Sequence, residues 1–181
     1  MKGWRRSAGG FWRRRWLAVL VAALAAGVGA RLFLFAPFYI PSVSMLPTLV
    51  PGEYVLVERV GVLWTGVGFG NVVVFRRPPH DRAPFPTAYL VKRVIGLPGQ
   101  TIYSSNGSVY VDGKKLREPF LPAGVATEGI RYQRIPADHY FVLGDNRGDS
   151  EDSRFFGPIS ASLLVGRVVM VYWPPADFRL L

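Results

Sequence analysis

Tyr89-Leu90-Val91-Lys92-Arg93-Val94-Ile95, residues 89–95, is a run of β-branched and aromatic residues interrupted by two adjacent cations. A strand turns successive side chains to opposite faces, so Leu90, Lys92 and Val94 share one face and Val91, Arg93 and Ile95 the other. The two cations therefore point oppositely, and a solvated-edge reading accommodates only one of them. Outward from this segment the same composition recurs in short runs: Glu53–Val60, Gly70–Arg76, Ala88–Ile95, Ser108–Asp112, His139–Leu143 and Gly166–Trp173. Gly and Pro punctuate them, with Asp112-Gly113 as a hairpin signal and Pro78-Pro79 and Pro98-Gly99 as loops. Beyond residue 36 the one helical turn expected is Ser160–Val165, with Ser160 as cap and Gly166 as stop. The pattern predicts a mainly β, antiparallel domain over residues 37–181.

The first 36 residues read differently. Residues 1–15 carry Lys2, Arg5, Arg6, Arg13, Arg14 and Arg15 and no acid, and Trp16–Ala30 is an uncharged, mostly aliphatic run closed by Arg31. Two readings fit. The run is short for a bilayer core, which takes about 20 apolar residues, but Arg31 can snorkel to the far interface, where Phe33, Phe35, Phe38 and Tyr39 also suit the headgroup region. On that reading residues 16–36 form a single transmembrane helix. The basic start, apolar middle and small residues Ala26–Ala30 also fit a cleavable signal peptide. Both keep the basic leader in the cytoplasm and export the rest of the chain.

Composition narrows the chemistry. Of 181 residues half are hydrophobic, which argues against disorder despite 20 Gly and 15 Pro. There is no Cys, and His80 and His139 are the two histidines, so disulfides, a thiol nucleophile and a four-ligand zinc site are excluded; no metal is expected. The formal charge of +10 is concentrated in the leader rather than on a folded face, which argues against nucleic-acid binding. Gly61–Phe69 is apolar and Gly-rich, either a buried connection or a loop whose Trp64 and Phe69 enter a lipid interface.

Three segments carry candidate chemistry: Pro41–Leu49, Lys92–Gly99 and Gly144–Arg154. A serine needs a base, and a Ser–His–Asp triad is the lesser reading, because His80 sits in a Pro-rich loop and His139 opens a strand. Of the 22 basic residues only Lys2, Lys92, Lys114 and Lys115 are lysine, and Lys92 alone lies within an apolar strand. A guanidinium does not deprotonate, whereas a buried ammonium loses its proton near neutral pH, so Lys92 fits a general base; a solvated lysine is the bland alternative.

Together Ser42-Val43-Ser44-Met45-Leu46-Pro47-Thr48-Leu49, Lys92-Arg93 with Gly96-Leu97-Pro98-Gly99, and Gly144-Asp145-Asn146-Arg147 with Ser150, Asp152, Ser153 and Arg154 resemble the successive boxes of the bacterial type I signal peptidases. Gln100 and Gly148-Asp149 depart from the usual pattern at positions that transfer no proton. The resemblance implies a membrane-bound serine endopeptidase with Ser44 as nucleophile and Lys92 as base. It implies an oxyanion hole from the Ser42 hydroxyl and the Ser44 N–H, and Ser150 as the group that orients the lysine. Asp152 with Arg154 corresponds to a structural ion pair, and Asp145 and Arg147 to further support. Phe38, Ile40, Pro41, Leu90 and Val91, which adjoin the two catalytic residues in sequence, are expected to line pockets for small side chains. The implied partners are signal peptides of exported preproteins, cut after Ala-x-Ala-like sites, and membrane lipid; no cofactor is implied. The resemblance favours a retained anchor, an extracytoplasmic catalytic domain at 37–181 and a reduced second β-subdomain at about 99–137. A silent peptide-binding β-domain and an exported Ser–Lys peptidase with another substrate share these features.

Overall fold

The computed structural model describes residues 9–61, 66–79, 81 and 87–181, with the side chains at 9–12 and 30–33 outside that description. Trp64 and His80 therefore fall outside the described residues, as do residues 1–8 of the basic leader and the side chains of Arg31 and Phe33. The chain divides into Met1–Phe35 and Ala36–Leu181.

The first unit holds helix α1 (Gly9–Leu34), in which Ala- and Leu-rich sequence of high helix propensity follows the arginines. Its residues from Arg13 to Gly29 are all exposed, Leu17, Val19 and Leu24 among them at more than half, so apolar side chains on every face stay uncovered. Among the described residues no helix is long and apolar enough to cross a membrane. The helix ends before the expected boundary at residue 36, because Phe35 and Ala36 already belong to strand β1 (Phe35–Tyr39).

The second unit is built on an eight-stranded sheet in which β2 (Tyr54–Glu58), β3 (Val72–Arg76), β4 (Tyr89–Gly96), β9 (His139–Leu143) and β11 (Leu164–Trp173) match the expected runs, some trimmed by a few residues. Its order is β1-β2-β11-β3-β4-β9-β10, with β10 (Ile159–Ser160) at one edge and β12 (Arg179–Leu180) beside β11. Neighbours pair antiparallel from β2 through β10. The segment 89–96 thus lies between β3 and β9, not at an edge, and both of its cations are buried. The solvated-edge reading therefore applies to neither cation.

The short β10 and β12, together with β1, carried no strand signal of their own. The helical turn expected over Ser160–Val165 is a 3-10 turn at Ala161–Leu163; Ser160 accepts the Ser162 N–H, but Leu164 and Val165 already belong to β11. A short helix, α2 (Ser153–Phe156), is capped by Asp152, and was not expected.

A second, four-stranded sheet has the order β7-β6-β5-β8, from β5 (Thr101–Ser105), β6 (Ser108–Val111), β7 (Lys114–Lys115) and β8 (Gln133–Arg134). Two-residue turns with positive φ at both positions join its hairpins: Asn106-Gly107 and the expected Asp112-Gly113. Three apolar clusters hold the unit together. Strand β3 explains two of them, since Val72 and Val74 enter the cluster with Ile40, Met45 and Leu49, while Val73 and Phe75 face Val94, Val142 and Ile159. The third packs the small sheet, through Ile102, Val109 and Ile135, against Ile95, Phe141 and Leu143.

Candidate active site

Ser44 lies in a 3-10 turn, Val43–Met45, that comes directly after Ser42 in extended conformation. Met45 and Leu49 anchor the turn in the core, so the intervening chain is held at the surface. The Leu46 N–H closes the turn on the Val43 carbonyl at 3.0 Å and the Leu49 N–H bonds the Met45 carbonyl at 2.9 Å. The Ser42 and Ser44 hydroxyls stand 3.2 Å apart. This turn packs against β4.

Lys92 occupies the middle of β4, opposite Val73, and is 3% exposed. Burial lowers its pKa to about 8, because an ammonium loses hydration there; the Asp152 carboxylate opposes the shift and the Arg154 guanidinium adds to it. At pH 7 this leaves about a tenth of the lysine neutral, against less than about a thousandth for an exposed one.

The segment after β9 completes the cluster. The Asn146 N–H bonds the Ser44 carbonyl at 3.1 Å and its side-chain amide bonds the Val43 carbonyl at 3.2 Å. Gly144 stands where a Cβ would overlap both the Ser150 Oγ and the Ser44 carbonyl oxygen, so a side chain at 144 and this packing are incompatible. The Ser150 Oγ is buried and makes no hydrogen bond among the described residues. Asp152 accepts the Gly144 N–H at 3.0 Å and pairs with the Arg154 Nε at 2.8 Å.

The structure therefore brings Ser42, Ser44, Gly144 and Ser150 together, with Lys92 in the field of Asp152 and Arg154. Asp145 and Arg147 point elsewhere: Asp145 binds the Arg93 guanidinium at 2.8 and 2.5 Å, and Arg147 pairs with Glu118. Arg93 also donates to Thr48 Oγ1 at 3.1 Å and the Gly70 carbonyl at 2.7 Å. Sequence reasoning assigned no role to Arg93, Thr48 or Asn146, although all three lie inside the three candidate segments. Nor did it find Glu118 and Thr127, which carry no local signal.

Of the residues expected to line pockets, Ile40 is 2% exposed and belongs to the core, a correction to the expectation that it would meet a ligand. Phe38 and Val91 are partly buried against the same cluster, Leu90 against another, and Pro41 is exposed. The His139 Nδ1 bonds the Ala137 carbonyl at 2.8 Å. His139 opens β9 whereas Gly144 lies just past its other end, about 16 Å along the strand, which separates this imidazole from the serine. Phe69 packs on Phe120, with ring centroids 5.9 Å apart.

The family model described as signal peptidase, peptidase S26, matches residues 13–173. The probable signal peptidase I-2 of Synechocystis sp. is 37% identical over 155 residues, which cover 86% of this chain and 71% of that protein. Signal peptidase IB of Staphylococcus aureus (strain COL) is 38% identical over 164 residues, covering 81% of this chain and 82% of that protein. A solved structure of a signal peptidase I from Enterococcus faecalis V583 is 27% identical, with a TM-score of 0.44, and covers 56% of this chain and 95% of that one.

Proposed function

The chain belongs to the signal peptidase family of serine peptidases, peptidase S26, and from that premise we propose that it cuts signal peptides from exported preproteins with Ser44 as nucleophile and Lys92 as base. Membership makes it a serine endopeptidase that hydrolyses peptide bonds in signal-peptide removal; the dyad, the cleavage site and the membrane setting are our reading.

The observation that carries the dyad is the burial of Lys92 in the interior strand against which the Ser44 turn packs, with its pKa drawn down to about 8. Neutral Lys92 takes the proton from the Ser44 hydroxyl as its oxygen attacks the scissile carbonyl. The negative charge that develops on the carbonyl oxygen is met by the Ser44 N–H and the Ser42 hydroxyl. Protonated Lys92 then delivers its proton to the leaving amine, and a second cycle with water hydrolyses the acyl-enzyme. The Ser150 Oγ, a buried hydroxyl that makes no hydrogen bond among the described residues, has its bonding capacity left to orient the amine during the reaction.

The substrate reading is an extended peptide ending in an Ala-x-Ala-like sequence, laid along a strand edge. Phe38, Leu90 and Val91, which are partly buried, and the exposed Pro41 are the residues that limit side-chain size beside it. The anchor reading draws on α1, whose uncovered apolar surface suits lipid on all sides, with Arg31 at the outer end of the span and the basic leader in the cytoplasm. Residues 37–181 then work outside the membrane, with 99–137 as the reduced second subdomain.

The test is cleavage of a preprotein bearing an Ala-x-Ala site by the detergent-solubilised chain, comparing wild type, Ser44→Ala and Lys92→Arg from pH 6 to 10. Cutting after the second Ala by wild type and by neither variant is expected. Activity in Lys92→Arg, which keeps charge and cannot deprotonate, overturns the assignment of the base.

A further inference from the structure

We infer that Glu118 is a positioning residue of this site, acting on the Gly144 carbonyl through the Arg147 guanidinium. The inference rests on the assignment of Ser44 and Lys92 as the dyad.

Arg147 is buried, and each of its three guanidinium nitrogens is engaged. Its Nε donates to the Gly144 carbonyl at 3.1 Å. The two terminal nitrogens grip the Glu118 carboxylate as a fork, at 2.5 and 3.2 Å, and one of them also donates to Thr127 Oγ1. Glu118 and Thr127 both lie in the connection between β7 and β8, and the Thr127 N–H bonds the Gly107 carbonyl in the β5–β6 turn. Polar contacts thus run from the β5–β6 turn through Thr127 to Arg147 and on to the Gly144 carbonyl, with Glu118 as the counter-charge on the same guanidinium.

Gly144 is the residue whose displacement matters. Asp152 holds its N–H and Arg147 holds its carbonyl, so two buried charged groups set the tilt of the backbone there. The same glycine touches the Ser150 side chain and the Ser44 carbonyl, and a shift of a few tenths of an ångström moves both relative to Lys92. Arg147 alone does not fix that geometry. A buried guanidinium without its carboxylate swings toward another acceptor or toward water, whereas the two-point fork to Glu118 sets the plane in which Nε points.

The experiment uses the full chain in detergent micelles and compares Glu118→Met, Arg147→Met and the double variant. It measures thermal unfolding, kcat and KM on the preprotein, and hydrogen–deuterium exchange over residues 143–150. Glu118→Met is expected to lower the melting temperature and to cut kcat about tenfold or more, with KM within about threefold. In the double variant both charges are gone, so the melting temperature returns toward wild type. Its kcat stays as low as in Arg147→Met, and exchange over 143–150 stays raised, because the Gly144 carbonyl has lost its donor. Recovery of kcat together with melting temperature in the double variant makes the pair structural only and overturns the inference. If wild type cuts no preprotein, the functional reading falls, and exchange still decides: raised over 143–150 in Glu118→Met and the double variant upholds the positioning, and unchanged exchange overturns it.

Discussion

The Ser44 carbonyl oxygen accepts the Asn146 backbone N–H at 3.1 Å, so the turn that bears one serine is fastened to the segment that bears Ser150. Gly144, two residues before Asn146, approaches the same carbonyl so closely that no side chain fits between them. Chain positions a hundred residues apart are thereby held in one backbone contact, and small errors there reach the reacting atoms directly.

Gly144→Ala tests that contact. The added Cβ meets the Ser150 Oγ, the Ser150 Cβ and the Ser44 carbonyl, and the last is backbone that does not rotate away. Overpacking of this kind costs about 1–3 kcal/mol of stability. The expected result is a folded protein with a modestly lower melting temperature and kcat down about 100-fold, since misplacement of about 1 Å has that effect on a preorganised site. A variant with wild-type kcat shows that the Gly144 contact does not position the site.

Lys92 sets the pH dependence. With its pKa lowered to about 8, kcat/KM is expected to rise through that value as the amine becomes neutral. The stability effect has the opposite sign to that of a paired lysine. Between about 8 and the ordinary value of 10.5 the unfolded chain binds more protons, so stability rises with pH across that window, and below it the buried ammonium costs on the order of 3 kcal/mol. Lys92→Met is therefore expected to melt higher than wild type at pH 7, with the gap shrinking by pH 10. Calorimetry across that range checks the sign, and a gap that grows with pH contradicts it.

Runs of β-branched and aromatic residues bounded by Gly and Pro made β2, β3, β4, β6, β9 and β11 legible, the interior strands as continuous apolar runs because both of their faces are buried. The strands that escaped are two residues long, like β7, β8, β10 and β12, or lie where the chain reads as something else, like β1 at the end of an apolar helix, or, like β5, carry two serines in five residues and so a weak β signal. The Asn106-Gly107 turn is a different case. It has the same chemistry as Asp112-Gly113 and both positive φ values, and its hairpin signal is masked because the β5 side of it reads weakly as a strand. Within the site, residue types announced Lys92, one of few lysines in an arginine-rich chain. Arg93 gave no such signal. Its burial comes from Asp145 on a distant segment and from β4 being an interior strand, both of which are properties of the tertiary fold.

Ser150→Ala separates service to the lysine from service to the fold. The Ser150 Oγ is buried with no hydrogen bond among the described residues, and an unsatisfied buried polar group costs about 1–3 kcal/mol. Its removal is expected to leave the melting temperature unchanged or raised while kcat falls about 100-fold, because Lys92 loses the group that orients its amine. Loss of stability in parallel with activity assigns the hydroxyl to structure.

Two ion pairs of similar length and different burial give the last test. The Arg93–Asp145 pair is closed at 2.5 Å with side chains 8% and 0% exposed, while Arg167–Glu58 is closed at 2.9 Å with 42% and 25% exposed. Asp145→Asn leaves the Arg93 guanidinium without a counter-charge in a place that water reaches poorly, and weakens the acceptor of the Thr48 hydroxyl. Breaking a buried pair from one side costs about 3–5 kcal/mol, against about 1 kcal/mol or less for an exposed pair. In a domain of this size the first loss corresponds to a drop of roughly 10 °C or more and the second to at most a few degrees. Glu58→Gln is the matched control, since it removes the same charge from the exposed pair. Melting temperatures measured in low salt and in about 0.5 M salt discriminate further: screening erases the Glu58→Gln difference and leaves most of the Asp145→Asn loss. Equal losses in the two variants contradict the ranking by burial.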